Sequence, residues 1–135
     1  MLEVEILKKL VIDLDGTLTI EPTSDYRQAR PNKDLIRVLN SYKARGYYIV
    51  IFTARNMRTF DGEIGKINVH TLPIIIDWLK ENDVPYDEVI VGKPWCGKDG
   101  FYIDDRALRP NEFIEMSESE IISMLSGAKK NGQLF

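Results

Sequence analysis

Residues 8–17, KKLVIDLDGT, decide the fold of this chain, because a short apolar run there leads directly into two acids and a glycine. We predict a buried strand over residues 8–14, which Gly16 ends because glycine tolerates the turn geometry that follows. Asp13 and Asp15 stand at the carboxyl end of this strand. Side chains two positions apart in an extended chain project to the same side, so both acids are expected to face one site.

After this strand, short apolar runs alternate with helical patterns, which is typical of an α/β domain with a mostly parallel sheet. We expect one domain over residues 1–135, a three-layer Rossmann-like fold with a central sheet of about five strands and no cap domain. Residues 17–30 are expected to be irregular with a small hairpin, and residues 54–69 fit no single pattern. Further strands are predicted at 47–52, 88–91, 101–104 and 112–116, and helices at 31–45, 71–82 and from 117 onwards.

The connection between the third and fourth predicted strands is unusually short. Only residues 92–100 join them, fewer than the dozen or so residues that a helical crossover needs. Fully extended, this segment reaches ~30 Å, enough to cross two strands diagonally without a helix. We therefore expect a loop crossover that also carries side chains to the functional site.

Polar residues follow each predicted strand at its carboxyl end, which is the edge where open α/β sheets bind ligands. A single aspartate pair at a strand end is commonly turn chemistry, but residues from separate segments at one edge indicate a site. These residues are Asp13 and Asp15 after the first strand, Thr53 after the second, Lys93 after the third, and Asp104 and Asp105 after the fourth.

The order of these residues resembles the motifs of the haloacid dehalogenase-like (HAD) phosphatase superfamily. Asp13-x-Asp15-Gly-Thr-Leu is similar to its first motif, and Thr53, Lys93 and the acidic pair at 104–105 stand in the order of the other motifs. The resemblance covers about residues 8–115, nearly the whole core. Within the superfamily, the run DGFYIDDR at 99–106 resembles small capless phosphatases linked to capsule and other polysaccharide synthesis.

The resemblance implies a catalytic role for four residues. Asp13 would be the nucleophile that accepts the phosphoryl group as an aspartyl phosphate, which splits one hard displacement into two easier ones. Asp15 would protonate the leaving oxygen and later take a proton from the hydrolytic water. Lys93 and the Thr53 hydroxyl would stabilise the phosphoryl oxygens, although Lys66 and Lys98 compete with Lys93 for this role.

The same resemblance implies a magnesium cofactor. A cluster of carboxylates repels an anionic substrate unless a hard divalent cation with oxygen ligands is bound, and Mg²⁺ is the natural choice. The implied ligands are the Asp13 carboxylate, the Asp15 carbonyl and Asp104, with Asp105 direct or through water.

The spacing of the motifs argues against a mutase. The intervals from Asp15 to Thr53 and from Thr53 to Lys93 each hold a strand, a loop and a helix, so no cap domain fits. The acid at position 15 also points to phosphoester cleavage, since the resemblance implies other residues there in transport ATPases and dehalogenases.

Three further residues are candidates for substrate binding. Arg55 follows the second strand and could bind an anionic group, although arginines are more often solvated or paired. Trp95 in the crossover could stack on a substrate ring or pack in the ordinary way. Tyr26 belongs to the segment that forms a flap in this superfamily, or to a mobile surface loop.

Three other functions compete with a small-molecule phosphatase. A receiver-like signalling domain also uses an aspartyl phosphate, but the resemblance places its motifs in a different order. A non-catalytic phosphate-binding module on the same scaffold is the second, since fold does not fix function. A polynucleotide 3′-phosphatase is the third, because a capless site admits large substrates.

The net charge and the amino-acid composition limit the binding partners and the cellular location that we expect. The net charge of −3 gives no electrostatic case for nucleic acid or for a membrane. The residues do not determine the physiological substrate, and a small phosphorylated metabolite such as a sugar phosphate is the preferred one. Cys96 is the only cysteine, and the N-terminus lacks the pattern of a signal peptide, so the cytoplasm is the expected location. The sequence is compatible with a homo-oligomer without fixing the number of subunits.

Overall fold

The computed structural model describes residues 8–131, with the side chains of 128–131 excepted. Contacts divide the chain into two compact units, Met1–Trp95 and Cys96–Phe135. The division falls inside the predicted crossover at 92–100. The expectation of one domain over residues 1–135 therefore stays a prediction, and each unit is described by itself.

A parallel sheet forms the centre of the first unit. It has three strands in the order β1-β2-β3, namely β1 (Lys9–Ile12), β2 (Tyr48–Thr53) and β3 (Glu88–Val91). The register places Ile12 opposite Ile51 and Thr53 opposite Val91, and all three strands run in the same direction. Their carboxyl ends therefore meet at one edge, and Asp13 leaves β1 at that edge.

Helices cover this sheet in a Rossmann-like α/β arrangement, and residues 8–131 contain no cap domain, as predicted. They are α1 (Lys33–Ala44), α2 (Ile64–His70) and α3 (Leu72–Glu81). The Asn32 side chain begins α1 by accepting a hydrogen bond from the Leu35 N–H, at 3.2 Å. Gly46, with φ of +94°, follows its end in the left-handed conformation that favours glycine.

Aliphatic side chains from the central strand and the helices build the core of the first unit. Ile49 and Ile51 of β2 are fully buried, as are Leu39 of α1 and Ile75 and Leu79 of α3. Burying a side chain of this size stabilises the fold by ~1.5–3 kcal/mol. The core thus fixes β2 in the middle of the sheet and holds the edge where the polar residues lie.

Two of the predicted strands, both in the second unit, are not formed within the described residues. The expected sheet of about five strands has three within residues 8–131. Residues 101–104 form no strand there, and residues 112–116 lie in a helix, α4 (Pro110–Glu115), and its C-terminal cap. The reason at 112–116 is local, because Pro110 suits a first helical turn and the Glu112 carboxylate accepts the Arg109 N–H at 2.8 Å.

The last helix, α5 (Glu118–Asn131), begins as the sequence predicts. Ser117 Oγ accepts the Glu120 N–H at 3.2 Å, and the Glu120 carboxylate accepts the Ser117 N–H at 2.8 Å, so the capping box is confirmed. None of the helices within residues 8–131 is long and apolar enough to cross a lipid bilayer.

Candidate active site

A tight turn after β1 holds the two acids of the first motif. The Leu14 carbonyl accepts hydrogen bonds from the N–H groups of Thr17, Leu18 and Thr19, at 3.2, 2.9 and 3.1 Å. The Leu14 side chain is fully buried, so the residue between the two acids is anchored in the core. The acids therefore stand on a rigid support.

The Asp13 carboxylate is held by two side chains and remains open to solvent. Thr17 Oγ1 donates to its Oδ2 at 3.2 Å, and the Lys93 ammonium donates to its Oδ1 at 3.5 Å. The Asp13 side chain is 33% exposed, so a substrate can reach an oxygen. The contact from Thr17 was not predicted, although its place four residues after Asp13 in the Asp-Gly-Thr sequence was a signal.

The backbone at the end of β3 aims Lys93 at Asp13. The Lys93 N–H donates to the Thr53 carbonyl at 3.1 Å, which ties the exit of β3 to the end of β2. Gly92 precedes it with φ of +89°, a conformation that side chains rarely allow. Of the competing lysines, Lys66 pairs instead with Glu63 at 2.9 Å. The Lys93 ammonium therefore lies beside Asp13, and its predicted bond to a phosphoryl oxygen stays a prediction.

Thr53, the last residue of β2, is buried, and its carbonyl is the acceptor of the Lys93 N–H. Its hydroxyl oxygen accepts the backbone N–H of Arg55 at 3.1 Å, so its own hydrogen can be donated elsewhere. This side chain thus shapes the turn that carries Arg55. Its predicted bond to a phosphoryl oxygen stays a prediction.

Arg55 makes a shorter side-chain contact than those described for Asp13. Its guanidinium binds both carboxylate oxygens of Asp15, with Nη2 to Oδ1 at 2.7 Å and Nε to Oδ2 at 3.0 Å. The Arg55 side chain is 1% exposed and the Asp15 side chain 41%. Such a two-pronged pair fixes the direction of a carboxylate as well as its place. From the sequence, Arg55 was a candidate substrate ligand, with a solvated or paired arginine as the more common alternative; Asp15 was not predicted as its partner.

The aromatic ring of Tyr26 packs against the guanidinium of Arg55. Its ring lies 4.0 Å from the guanidinium carbon of Arg55, within the range of a cation–π contact. Tyr26 belongs to a short 3-10 helix, Tyr26–Gln28, and the Trp78 indole N–H donates to the Ala29 carbonyl just after it at 2.8 Å. An isolated antiparallel bridge between Thr19 and Pro31 closes the loop that carries Tyr26, and no paired strands form within it.

The third substrate candidate, Trp95, is half-exposed at the end of the first unit. Its ring lies 6.0 Å from the guanidinium carbon of Arg58. An exposed ring is available for stacking on a ligand. The substrate roles of Tyr26, Arg55 and Trp95 all stay predictions.

The fourth-motif acids belong to the second unit. Both Asp104 and Asp105 are exposed, and Asp104 Oδ1 accepts the Arg106 N–H at 2.8 Å. This local bond is the turn contact typical of an aspartate. The proximity of these acids to Asp13, which the sequence analysis expected, stays a prediction.

The oxygen donors of the first unit suit a hard cation. Within its described part, residues 8–95, no three His, Cys, Asp or Glu side chains come together as a ready metal site. The partly exposed Asp13 carboxylate is nevertheless a donor of the kind that Mg²⁺ takes, with waters and few protein ligands. The Asp13 carboxylate thus fits its part of the implied ligand set, and the ligand roles of Asp104 and Asp105 stay predictions.

Comparison with known proteins decides the family. Residues 10–77 match the family described as haloacid dehalogenase-like hydrolase. The chain belongs to this family. The HAD-like chain is also similar to the crystal structure of a target protein from Vibrio cholerae, with 60% identity and a TM-score of 0.88, over 90% of this chain and 98% of that one. The HAD resemblance read from the motifs is therefore confirmed.

Two further solved structures show more distant similarity. A chain of a Pnkp1/Rnl/Hen1 complex matches at 25% identity with a TM-score of 0.49, over 81% of this chain and 34% of that chain. A chain of the Pnkp1/Rnl/Hen1 RNA repair complex matches at 22% identity with a TM-score of 0.48, over 81% of this chain and 30% of that chain. No protein of curated description matches the sequence.

Proposed function

We propose that this HAD-like hydrolase is a Mg²⁺-dependent phosphomonoesterase that forms an aspartyl phosphate on Asp13. One observation carries the proposal: a partly exposed carboxylate at the end of β1 has an ammonium group 3.5 Å from one of its oxygens. A second acid stands two residues further along the same turn. This combination offers a nucleophile, a phosphate-binding cation and an acid–base group at one edge.

The reaction follows from these groups in two displacements. An Asp13 oxygen attacks phosphorus and the bond to the ester oxygen breaks, while Asp15 gives its proton to the departing oxygen. Water then attacks the phosphorus of the aspartyl phosphate, its proton passes to Asp15, and the bond to Asp13 breaks. Inorganic phosphate leaves, and both aspartates return to their starting states.

Positively charged and hydroxyl groups support the transferred phosphoryl group. The Lys93 ammonium, placed against Asp13, would stabilise the charge that develops on the phosphoryl oxygens. The Thr53 hydroxyl would donate to another of these oxygens. Arg55 would keep the Asp15 carboxylate directed, which matters because a misplaced acid–base group transfers protons poorly.

Magnesium would be held by the Asp13 carboxylate, the Asp15 carbonyl and Asp104, with Asp105 direct or through water. When bound, it would neutralise the repulsion between this acidic cluster and an anionic substrate. The chain's own residues would still carry out the nucleophilic and proton-transfer steps.

The proposed substrate is a small phosphorylated metabolite, with a sugar phosphate preferred and capsule or polysaccharide synthesis as the setting. The half-exposed ring of Trp95 supports this class, because aromatic faces pack against sugar rings. The acidic net charge of −3 gives no support to a polyanionic substrate.

Phosphate release is the direct test. Purified protein is incubated with p-nitrophenyl phosphate and a panel of phosphorylated sugars, once with Mg²⁺ and once with a chelator. We expect sustained turnover that requires the metal, and a label from radioactive substrate that stays on the protein after acid quenching. Turnover unchanged by the chelator would contradict the metal dependence, and no turnover on any substrate would contradict the phosphatase proposal.

A further inference from the structure

Two arginines follow β2 at its carboxyl end, and each lies beside an aromatic ring of the first unit. The guanidinium carbon of Arg55 is 4.0 Å from the centre of the Tyr26 ring, and that of Arg58 is 6.0 Å from the centre of the Trp95 ring. Such contacts hold a guanidinium against the face of a ring and leave the N–H groups at its edge available for hydrogen bonds. The two arginines differ in what those N–H groups bind.

A carboxylate of the protein binds the N–H groups of Arg55, whereas those of Arg58 have no such partner in the described part of the first unit. Arg55 donates to both carboxylate oxygens of Asp15, at 2.7 and 3.0 Å. Within residues 8–95, the Arg58 guanidinium forms no ion pair and no side-chain hydrogen bond. Arg58 therefore offers the fork of donors that matches a carboxylate or a phosphate, with no acid of this unit bound to it.

The loop that carries Arg58 is held in one conformation by its own hydrogen bonds. The Gly62 N–H donates to the Met57 carbonyl at 2.8 Å, and the Thr71 hydroxyl donates to the side-chain oxygen of Asn56 at 2.7 Å. Asn56 has φ of +62°, a conformation that costs free energy in a residue with a side chain and persists where the surroundings require it. The backbone thus presents Arg58 from a fixed position, so binding a ligand there costs little conformational freedom of the loop.

The pair formed by Arg58 and Trp95 follows directly on residues of the proposed active site. The Lys93 N–H donates to the Thr53 carbonyl at 3.1 Å, so the ends of β2 and β3 lie side by side. The Lys93 ammonium is 3.5 Å from the Asp13 carboxylate, and Trp95 comes two residues later, at most ~7 Å away between Cα atoms. Both members of the pair thus continue strands whose ends carry groups of the proposed site.

We propose that Arg58 and Trp95 form the subsite for the leaving group, and that the substrate is a phosphorylated sugar with a second anionic group, either a carboxylate or a second phosphate. The sugar ring packs against the indole of Trp95, and the guanidinium of Arg58 binds the second anion through two parallel hydrogen bonds, as Arg55 binds Asp15. This inference rests on the proposed function, because it assumes that the phosphate to be cleaved is bound at Asp13.

Binding to a protein without its nucleophile tests the subsite without any turnover. In an Asp13→Asn background with Mg²⁺, Kd is measured by calorimetry for three ligands that share one pyranose ring: glucose 1-phosphate, glucuronate 1-phosphate and glucose 1,6-bisphosphate. We expect at least one of the two doubly anionic ligands to bind ~10-fold or more tightly than glucose 1-phosphate, because charge-assisted hydrogen bonds are added. The glucuronate ligand reports a carboxylate and the bisphosphate a second phosphate, so the tighter of the two identifies the group.

Variants of Arg58 then assign the difference in affinity to its guanidinium. In the same background, Arg58→Gln should bring the ratio of the Kd values to about one, and Arg58→Lys, which keeps the charge but loses the fork, should give an intermediate ratio. Arg37→Gln, on an exposed arginine paired with Asp34, is the matched control and should keep the full ratio.

Three results would overturn the subsite. They are equal Kd values for the three ligands, no measurable binding of any of them, and an Arg58→Gln protein that keeps the ratio. A ratio that is kept while the unfolding midpoint falls would show that Arg58 pairs with an acid of the protein instead.

Turnover separates the subsite from the proposed function. In the active enzyme, Arg58→Gln should raise KM for the doubly anionic substrate by ~10-fold or more and change kcat less, as expected of a residue that binds the ground state and the transition state alike. If the wild type releases no phosphate from any substrate, the proposed function fails, while the Kd ratios in the Asp13→Asn background still decide whether Arg58 selects a second anion.

Discussion

Asp13 in the first unit and Asp104 in the second are both expected to bind the same metal, yet the structure supports them differently. Asp13 stands on a turn anchored by the buried Leu14 and receives bonds from Thr17 and Lys93. Asp104 is exposed, and its Oδ1 accepts the backbone N–H of Arg106, two residues away. The proposed nucleophile is thus held in place by the fold of its own unit, whereas the bond described for Asp104 is local to its turn.

The largest expected effect is that of Asp13→Asn, because it removes the nucleophile while its shape is kept. We expect kcat to fall by at least ~10³-fold, with no change in the thermal unfolding midpoint beyond a few degrees. Asp34→Asn, on an exposed aspartate of the same unit, is the matched control and should keep full activity. Equal activity of Asp13→Asn and wild type would end the assignment of the nucleophile.

Arg55→Lys tests whether preorganisation extends to the second acid of the turn. Lysine keeps the charge but cannot bind both oxygens of Asp15, so we expect kcat to fall by ~10²-fold with a smaller change in KM. Arg37→Lys, which alters an exposed pair with Asp34, is the control. A rise in KM alone would instead assign Arg55 to substrate binding.

Asp104→Asn probes the acid of the second unit. The amide oxygen can still accept the Arg106 N–H, so the local turn is kept while the charge is lost. We expect the Mg²⁺ concentration for half-maximal activity to rise by at least ~10-fold, measured by titration of phosphate release. Asp99→Asn, in the same unit, should leave the titration unchanged. An unchanged titration for Asp104→Asn would remove this residue from the ligand set.

The smallest expected effects are on stability, at one carboxylate in each unit: Asp87 in the first and Glu120 in the second. The Lys43 ammonium and the Ile49 N–H both donate to Asp87, and they hold its pKa below the ordinary value of 3.8. Because the native pKa is depressed, this contribution is present above about 3.8 and is lost as pH falls through the lower native value. We expect Asp87→Asn to lower the free energy of unfolding by ~1 kcal/mol near neutral pH, measured by urea denaturation.

The matching carboxylate of the second unit is Glu120, whose pKa is lowered by hydrogen bonds from the Ser117 N–H and hydroxyl. The direction of its pH dependence is the same, but it is fully exposed. Glu120→Gln should therefore change stability less than Asp87→Asn does. A larger effect at Glu120 would mean that the second unit limits the stability of the chain.

Whether a strand was predicted with the right bounds depended on the backbone hydrogen bonds and capping contacts of neighbouring residues. The bounds of β3 were predicted without error, because an apolar β-branched run ends there at Gly92. The first strand is shorter than predicted, since the chain already turns at Leu14, whose carbonyl is taken by three backbone N–H groups. Residues 112–116 were wrongly predicted as a strand because the capping contact of Glu112 outweighs the short apolar pattern.

The other features that were not predicted from the sequence depend on contacts between residues that are far apart along the chain. Residues 101–104 form no strand within the described chain, because a strand needs hydrogen bonds from a neighbouring strand and a short apolar run alone does not supply them. The pairing of Arg55 with Asp15 likewise joins two loops that are remote in sequence. The positions of Asp13, Thr53 and Lys93 after β1, β2 and β3 were predictable because parallel topology alone brings the ends of these strands to one edge, whereas their individual partners depend on side-chain geometry.

Two hydrogen bonds from Asn32 hold together the two ends of the loop that carries Tyr26. The Asn32 N–H donates to the Leu18 carbonyl at 2.7 Å, and the Asn32 side chain donates to the Thr17 carbonyl at 3.2 Å, so the start of α1 is fastened to the turn of the first motif. Loops of other lengths could therefore be grafted between Thr19 and Pro31 without moving the nucleophile. Because Tyr26 is a proposed substrate residue, replacing this one insert is the expected way to alter the selectivity of the enzyme.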